Sequence, residues 1–492
     1  MRGGHAVLLV LGSSFSFACS SPKSAAPNAA LPSGPPQVRD AQGRAVVFRG
    51  LNVDNAAKSD PQRMPALTPA AAAHYANDWG FDFVRLLVFW DALEPQAGTI
   101  DSAYLDRVAE RVGWLGAQGI SVLLDVHQDV YASKFCCDGA PAWAIVDDGQ
   151  PFQLQSLWSA NYLQPAPTRA FDHFWDADGS HPELTQHYLS ALGALAERFA
   201  GDPNVVGYDV INEPFPGSDF DVTEALFRQT PDDGGTSKVF DETLLGPFYQ
   251  QAIQVVRAVD PDHYVFFEPR YAAPANGSPS FLPKLTDPRA GDPHLVFAPH
   301  LYSTTVEASS EYSSGDPTIS MWEAARTAER TALGVPVVMG EWGLAWSNTN
   351  AAAFVDQLVA MADHAGVGWC YWSADPSDAS GWALEDANGN ENPIADHVVL
   401  PYARRIAGDA LAWAFDASSS VLDVSYADRA GTTGPTEIFV PARKYSSGWH
   451  VEVTPDAAGT WSTSWDATKN VVSVTVPSTH AVHHVRVAPG SK

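Results

Sequence analysis

The chain has 492 residues and a mass of 52.8 kDa, a length that suits one large domain followed by a smaller one. Hydrophobic residues make up 45% of it and charged residues 17%, so a sizeable core is possible and global disorder is excluded. A formal net charge of −28 disfavours nucleic-acid binding, because such a chain repels phosphate.

The first residues predict an export signal rather than part of the fold. Apolar runs over residues 6–11 and 15–18 are too short for a permanent membrane span. Ser16-Phe17-Ala18-Cys19 resembles a bacterial lipoprotein processing site, in which the cysteine carries the lipid. We therefore expect a signal peptide of lipoprotein type over 1–19 and a disordered, proline-rich linker over 20–36. The protein is then exported, either secreted or lipid-anchored at the bacterial cell surface.

Residues 37–407 predict an α/β fold, a (β/α)8 TIM barrel, preceded by a hairpin over 38–46. Apolar, β-branched runs alternate with helical patterns eight times, as strands buried on both faces of a barrel require. A doubly wound sheet is the alternative, but no glycine-rich phosphate loop follows the first strand. The predicted strands cover 47–52, 83–89, 121–126, 205–211, 264–268, 295–300, 336–341 and 368–373. The predicted helices cover 70–79, 102–118, 181–200, 242–259, 319–333, 350–364 and 394–407.

Residues 408–492 predict a small C-terminal antiparallel β-sandwich. Short alternating runs follow one another without an intervening helical pattern, which is typical of all-β structure. We expect this domain to stabilise the barrel by packing against it, and glycan or membrane binding is the alternative. The runs cover 413–415, 421–426, 437–440, 450–454, 471–476 and 483–487.

The cysteines are too few for a disulfide-built scaffold. Adjacent Cys136 and Cys137 fit either a vicinal disulfide or two free thiols, and Cys370 lies in an apolar run that predicts a buried thiol. No second pair of Cys or His has the spacing of zinc ligands, so we expect neither a metal nor a cofactor.

Polar and aromatic residues recur where the predicted strands end. Each alone has a structural explanation, such as capping a turn, but seven ends with such residues indicate one site. In a barrel the ends converge on the C-terminal face, where the chemistry takes place. These residues are Asn52, Asp54, Arg85, Asp125, His127, Gln128, Asp129, Asn212, Glu213, His300, Tyr302, Glu341 and Trp372.

Two of these residues, Glu213 and Glu341, predict a glycosidase. Cleavage of a glycosidic bond needs one carboxyl group to protonate the leaving oxygen and a second to meet the developing oxocarbenium centre. The fourth and seventh strands face each other across the barrel, so their ends can present both side chains to one sugar. We expect a carboxyl separation of roughly 5–5.5 Å, the retaining geometry, whereas about 9 Å would indicate inversion.

Asn212-Glu213-Pro214 after the fourth strand, with Glu341 ending the seventh, resembles glycoside hydrolase family 5, a retaining (β/α)8 family. The resemblance implies that Glu213 is the acid/base and Glu341 the nucleophile. Arg85 and Tyr302 would keep Glu341 ionised. Asn212 would bind the sugar 2-hydroxyl, His127 and His300 would hold hydroxyls or carboxylates, and Trp372 would lie under the reacting sugar. A metal is the alternative for the two histidines, but lone histidines on separate strands rarely ligate one.

A closer resemblance is to the endoglycoceramidases, which release the whole oligosaccharide from ceramide. It implies that Lys58, Asp129 and Trp158 bind glycan, with Trp175 competing with Trp158 for the stacking role. The strings that carry it are Arg49-Gly50-Leu51-Asn52, Val126-His127-Gln128-Asp129, Asp138-Gly139-Ala140-Pro141-Ala142-Trp143, Phe171-Asp172-His173-Phe174-Trp175, Asn212-Glu213-Pro214-Phe215 and Gly434-Pro435-Thr436-Glu437-Ile438.

The expected substrate is a glycosphingolipid, presented in a membrane or micelle to a monomer. The alternative within the family is an endo-β-glucanase or mannanase acting on polysaccharide. The alternative outside it is a carbohydrate-binding surface lipoprotein without catalysis, against which the intact Glu213 and Glu341 argue.

Long segments after the fourth and sixth strands, residues 215–248 and 304–322, predict the lipid side of the site. We expect the first to form a ceramide groove and a rim that touches the membrane. With a net charge of −28, such docking would use apolar side chains rather than basic patches. The apolar residues of the first segment are Phe215, Phe220, Leu226, Phe227, Phe240, Leu244 and Leu245.

Overall fold

The structure, a computed structural model, describes residues 31–222, 235–375, 381–457, 459–478 and 481–490. The predicted signal peptide, most of the predicted linker, Leu226 and Phe227 lie outside the described residues. Within the described ranges, no helix combines the length and the apolarity that a membrane crossing demands.

A hairpin precedes the barrel, as predicted. Its turn closes with a hydrogen bond from the Gly43 amide to the Asp40 carbonyl, at a positive φ of 74° that glycine adopts without strain. The returning chain forms β1 (Ala45–Val46), which pairs outside the barrel.

Eight parallel strands form the barrel that the alternating pattern predicts. Each strand pairs with the next along the chain, the first pairs with the last, and bridges from Phe297 to Val337 and from Leu301 to Trp342 close the ring. The strands are almost entirely buried, which explains why they read as continuous apolar runs. They are β2 (Arg49–Val53), β3 (Phe83–Phe89), β4 (Ser121–His127), β5 (Val205–Asp209), β6 (Tyr264–Phe267), β7 (Leu295–Phe297), β8 (Val338–Trp342) and β9 (Gly368–Tyr371).

The helices begin where the start signals indicate. Thr68 caps the first of them by accepting from the Ala71 amide, and Asp101 accepts from the Ala103 and Tyr104 amides at the start of the third. The helices are α1 (Pro69–Asn77), α2 (Trp90–Leu93), α3 (Ser102–Gly116), α4 (Pro165–Trp175), α5 (Pro182–Phe199), α6 (Gly235–Phe240), α7 (Gly246–Val259), α8 (Thr304–Ser309), α9 (Thr318–Leu333), α10 (Ala351–Ala365) and α11 (Ala395–Val398). Short 3₁₀ turns cover Asn55–Lys58, Ser133–Phe135, Ala142–Ala144, Trp158–Leu163, Gly217–Asp219 and Ala273–Asn276, and a π turn covers Asp241–Leu245.

The prediction of a helix over 394–407 is wrong in its second half. The helix ends as α11, and β10 (Tyr402–Ile406) follows and belongs to the sandwich, so sandwich strands begin before residue 408. Pro401 explains the break, because the residue before a proline is disfavoured in helical geometry.

The C-terminal sandwich consists of two antiparallel sheets, with strand orders β1-β10-β13-β16-β15 and β11-β12-β17-β14. The barrel side of the contact includes Gly80, whose carbonyl accepts from the Tyr402 hydroxyl, and Asp363, which accepts from the Trp413 indole. One strand, β15, was not predicted because its polar side chains stand exposed at a sheet edge. The remaining strands are β11 (Asp409–Asp416), β12 (Val421–Ala427), β13 (Thr436–Phe439), β14 (Trp449–Thr454), β15 (Ser462–Asp466), β16 (Val471–Thr475) and β17 (Val482–Pro489).

The barrel interior changes character along its axis. Near the strand starts it is apolar, and Phe48 and Phe83 stack there with ring centroids 4.2 Å apart. Two residues further along β3, Arg85 is fully buried, and Asp125 and Asp209, which are in register with each other on β4 and β5, contact its guanidinium. Side chains two apart in a strand share a face, so β3 supplies both the apolar layer and the first charged layer above it.

Candidate active site

A fully buried arginine organises the charged layer. The Arg85 guanidinium donates to Asp209 at 3.0 Å, to Glu341 at 2.6 Å and to Glu268 at 2.9 Å. It also donates to the side-chain oxygens of Asn52 and Asn212, and it lies 2.9 Å from Asp125. A planar guanidinium with five N–H donors can bind this many acceptors in fixed directions, whereas a lysine cannot.

The two predicted catalytic carboxylates meet at the barrel mouth. One carboxylate oxygen of Glu213 lies within 4.8 Å of one of Glu341. This spacing falls in the short range that is typical of retaining glycosidases and well below the separation that an inverting enzyme needs for its water.

Glu213 occupies an unusual backbone position. Its φ of 41° lies in the left-handed region, which is uncommon for a residue other than glycine and is often found at functional sites. Two hydrogen bonds fix it there: its amide donates to Glu268 Oε2 at 2.8 Å, and its carbonyl accepts from Gln128 at 3.1 Å. This backbone geometry directs the carboxyl group towards His300, whose Nδ1 lies 2.9 Å from Glu213 Oε1.

The surroundings of the two carboxylates push their pKa values apart. Burial raises the pKa of Glu213, the negative charge of Glu341 raises it further, and the bond to His300 only partly opposes this. Burial alone would also raise the pKa of Glu341, but the positive charges of His300 and Arg85 outweigh it and hold the pKa below its usual value. Glu213 is therefore suited to hold a proton and Glu341 to stay ionised.

Glu341 is bound at both oxygens. Arg85 donates to Oε1, and the Tyr302 hydroxyl donates to Oε2 at 3.0 Å. Burial lowers the pKa of His300, but the negative charges of Glu268 and Glu341 outweigh it and hold the pKa well above its usual value, so His300 adds a second positive charge 3.6 Å from Glu341 Oε2. The sequence assigned Arg85 and Tyr302 to the support of Glu341, and the structure places both against it.

A second polar group lies beside the catalytic pair. Lys58 donates to Asp129 Oδ2 at 2.6 Å, and its ammonium sits 4.1 Å from the centre of the Trp372 ring. The His127 ring stacks on the Trp372 ring, with ring centroids 5.7 Å apart. Its Nδ1 lies 2.7 Å from Asp125. An indole face flanked by a cation, a carboxylate and an imidazole suits a polyhydroxylated ring.

Asn212 retains one hydrogen-bond donor for a ligand. Its side-chain oxygen accepts from Arg85, and one amide hydrogen binds the Gln128 carbonyl at 3.0 Å. An amide carries two such hydrogens, so the second is left for a sugar hydroxyl.

Three groups of described side chains bring potential metal-binding atoms together: His127, Asp129 and Asp138; Glu213, His300 and Glu341; and Asp125, Asp209 and Glu268. In each group a cationic side chain already contacts carboxylates, since Lys58 binds Asp129 and Arg85 binds Glu341, Asp209 and Glu268. A metal ion would have to displace them. The donor set is therefore better suited to a metal-independent site.

The sequence model described as Cellulase (glycosyl hydrolase family 5) matches residues 39–378, and the model of the glycoside hydrolase family 5 C-terminal domain matches residues 401–487. The chain belongs to glycoside hydrolase family 5. As a family 5 protein it is a glycosidase, and the predicted barrel and sandwich correspond to the two matched regions.

Relatives of this family 5 chain resemble it over about half to most of its length. It is 32% identical to Endoglycoceramidase I of Rhodococcus hoagii over 434 residues, which cover 84% of this chain and 80% of the relative. It is 29% identical to an endoglycoceramidase of Cyanea nozakii over 47% of this chain and 49% of that one. The solved structure of endo-glycoceramidase II from Rhodococcus sp. in complex with ganglioside GM3 is 34% identical, with a TM-score of 0.84 over 93% of this chain and 100% of that one.

The two tryptophans that competed for a stacking role lie in different environments. Trp175 is buried, donates to the Phe215 carbonyl at 2.8 Å and packs edge-on against Phe240 and Phe248, so it belongs to the core. Trp158 is 48% exposed and contacts Tyr162, with ring centroids 6.3 Å apart.

The prediction that residues 215–248 form an apolar rim is wrong for Phe215, Phe240, Leu245 and Phe248. Phe215, Phe240, Leu245 and Phe248 are buried, because α6 and α7 pack these side chains inward against α4 and α5. Phe220 and Leu244 are only partly buried, and Phe220 contacts Phe215 and Tyr271.

Glu268 and Asp209 were missed as site residues. Glu268 contacts Arg85, the Glu213 amide and, at 3.2 Å, His300 Nε2, so it supports both catalytic groups. The signal was present, since Glu268 ends the predicted fifth strand. Asp209 was hidden inside a predicted strand that extends two residues further than the observed one.

The adjacent cysteines, for which the sequence left two alternatives, form a disulfide between Cys136 and Cys137. Cys370 is a buried free thiol, as predicted, and burial raises its pKa.

Proposed function

We propose that this protein is a retaining endo-β-glycosidase of endoglycoceramidase type. It hydrolyses the bond between the oligosaccharide and ceramide in glycosphingolipids. The observation that carries the proposal is the Glu213–Glu341 pair, two carboxyl groups within 4.8 Å whose pKa values are shifted in opposite directions. The named relatives, similar over the barrel and the sandwich, supply the substrate class.

In the first step, a carboxylate oxygen of Glu341 attacks the anomeric carbon of the sugar linked to ceramide. The bond from that carbon to the ceramide oxygen breaks, and Glu213 donates its proton to the departing oxygen. His300 occupies Glu213 Oε1, so Oε2 is the oxygen that carries the transferred proton. The products are ceramide and a glycosyl ester of Glu341.

In the second step, water attacks the anomeric carbon and the ester bond to Glu341 breaks. Glu213 accepts the proton of that water. The change of role is possible because esterification removes the charge of Glu341, one of the causes that raise the pKa of Glu213. Two displacements at the same carbon leave the β-configuration unchanged.

The remaining groups position the sugar and stabilise the developing charge. Trp372 offers its face to the reacting ring, and Lys58, Asp129 and His127 lie where they can bind hydroxyls at its edge. The free amide hydrogen of Asn212 can bind the 2-hydroxyl, a contact that strengthens in the transition state. Arg85 keeps Glu341 in place by bonds that need no rearrangement during the reaction.

The test is incubation with detergent-dispersed ganglioside GM3 and, separately, with cellohexaose and mannohexaose. We expect intact oligosaccharide and free ceramide from the ganglioside, with the first-formed sugar in the β-configuration by NMR. Glu341→Gln protein is the control for contaminating hydrolases. Shortened hexaoses without free ceramide would instead support the glucanase or mannanase alternative.

We further propose that the protein is exported and acts as a monomer at the bacterial cell surface or after secretion. The apolar segment and the cysteine at 19 support this proposal. Expression with Cys19→Ser in a lipoprotein-processing bacterium tests it: release of the variant from the membrane fraction supports lipidation, and an unchanged distribution contradicts it.

A further inference from the structure

Apolar surface is concentrated in one segment of the described chain. Of the seven large hydrophobic side chains that stand exposed there, four lie within residues 154–163. We call these four side chains the apolar patch: Leu154, Leu157, Trp158 and Leu163, with exposed fractions of 65%, 62%, 48% and 51%. Isolated exposed apolar residues need no explanation, but four within ten positions mark an interaction site.

The sequence around the apolar patch carries no charge. Residues 149–168 contain no Asp, Glu, Lys or Arg, and beyond residue 23 no other stretch of the chain is as long without one. This is notable in a chain with a net charge of −28, because charged side chains are what normally keep a protein surface in water.

The segment is held in a defined conformation rather than exposed by chance. The fully buried Asn161 side chain accepts from the Gln155 amide at 2.9 Å, donates to the Trp158 carbonyl at 2.8 Å and lies 3.6 Å from Cys136 Sγ. Tyr162 beside it is also fully buried. The segment thus has an anchored face and an outward face that is apolar.

The apolar patch is continuous with the active site. Tyr162 contacts Trp158 on one side and Tyr271 and Phe215 on the other, with ring centroids 4.6 Å and 4.8 Å apart for the latter two. Its hydroxyl lies 3.5 Å from Gln128 Nε2, the group that also binds the Glu213 carbonyl. One layer of aromatic rings therefore separates the patch from the acid/base residue.

We infer that the apolar patch docks the protein onto a lipid bilayer, with the leucines entering the interfacial region and the active-site mouth facing the membrane. An uncharged, outward apolar face beside the mouth suits an enzyme whose substrate is anchored in lipid. A tryptophan at its edge suits the boundary between water and acyl chains. With so negative a chain, this docking depends on apolar contact and not on attraction to anionic lipid. The choice of a bilayer as the partner rests on the proposed function, whereas binding to vesicles without glycolipid tests it independently of catalysis.

The test compares the wild-type protein with the triple variant Leu154→Ser, Leu157→Ser, Leu163→Ser. These leucines are outside the catalytic and sugar-binding groups, and they are exposed, so the variant should fold. Val259→Ser is the matched control, since Val259 is 36% exposed at the end of α7. Binding is measured by co-flotation with phosphatidylcholine vesicles that contain no glycolipid.

We expect the triple variant to bind vesicles at least roughly tenfold more weakly than the wild type and the Val259 variant, because three leucines no longer leave water. Binding should change little between low and high salt. On ganglioside embedded in vesicles the rate should fall in parallel, while hydrolysis of a soluble aryl β-glycoside stays unchanged.

Wild-type binding to neutral vesicles that is absent, or equal to that of the triple variant, would overturn the inference. So would a wild-type dimer that the triple variant converts to a monomer in gel filtration, because the patch would then be an interface between copies. Vesicle binding with no cleavage of any glycosphingolipid would contradict the proposed function and leave the docking inference standing.

Discussion

The ends of β5 and β8 carry the same kind of side chain in opposite electrostatic surroundings. After β5, Glu213 is partly buried and contacts one cationic side chain, His300. On β8, Glu341 is buried, but Arg85 and Tyr302 bind it directly and His300 lies close by. Residue type therefore does not set the role; the number of donors and positive charges facing each carboxylate does.

Removing the nucleophile should have the largest effect. We expect Glu341→Gln to lower kcat on every substrate by about 10⁴-fold or more, because no other group can form the covalent intermediate. Steady-state rates on a ganglioside and on a dinitrophenyl β-glycoside measure it. If either substrate retained a tenth of the wild-type rate, Glu341 would not be the nucleophile.

Glu213→Gln should affect two substrates differently, according to whether the leaving group needs a proton. We expect a loss of about 10²–10⁴-fold on ganglioside, where the departing alkoxide needs a proton. Formation of the glycosyl-enzyme from a dinitrophenyl glycoside should be nearly normal, since that leaving group needs none, and a burst of dinitrophenol should precede slow turnover. Equal losses on both substrates would contradict the acid/base assignment.

Arg85→Met tests the charged layer that supports both Glu213 and Glu341. It leaves Asp209, Glu268 and Glu341 buried without their cation, and loss of one partner of a buried ion pair costs about 3–5 kcal/mol. Chemical denaturation measures this. Arg326→Met is the matched control, because Arg326 is equally buried but pairs with Glu329 away from the site.

We expect both variants to lose stability and only Arg85→Met to lose activity in assays at a temperature where each remains folded. Comparable activity loss in the two would mean that Arg85 acts through stability alone.

The pH profile of activity should be bell-shaped, with the acid limb set by Glu341 and the basic limb by Glu213. Activity requires an ionised Glu341, whose pKa is lowered, so the rate falls when the pH drops below that value. It also requires a protonated Glu213, whose pKa is raised, so the rate falls again when the pH rises above that one. The dependence of kcat/KM on pH for a soluble glycoside whose leaving group needs protonation reports both limbs.

Tyr302→Phe should give the smallest effect, a shift of the acid limb. The hydroxyl donates to ionised Glu341, so its loss raises the pKa of that carboxyl and moves the limb upward by about 0.5–1 pH unit. The same measurement in Tyr312→Phe, whose hydroxyl binds Gln357 outside the site, should show no shift. A downward shift or none in Tyr302→Phe would contradict the proposed support of Glu341.

Much of the fold and site was predictable because it follows from periodicity. Strands buried on both faces read as apolar runs, and residues that end them must converge on one face of a barrel, so Glu213, Glu341 and Arg85 could be placed together from the sequence. Prediction failed where the apolar pattern is absent: the polar edge strand β15 left no clear signal, and residues of the charged layer that lie inside predicted strands, such as Asp209, were passed over.

The apolar segments illustrate the limit most clearly. Residues 215–248 and 154–163 are both rich in large apolar side chains, and the sequence assigned the first to the lipid side. The structure buries Phe215, Phe240, Leu245 and Phe248 of the first and exposes Leu154, Leu157, Trp158 and Leu163 of the second.

The sequence by itself determined the barrel, the pair of carboxylates at the barrel mouth and the sandwich, because strand and helix periods are local properties of the chain. Only the tertiary structure decided the contacts of Glu268 with both supporting cations, the left-handed backbone at Glu213 and the direction of side chains in the irregular segments. These depend on contacts between residues far apart in the chain, and no local pattern encodes them.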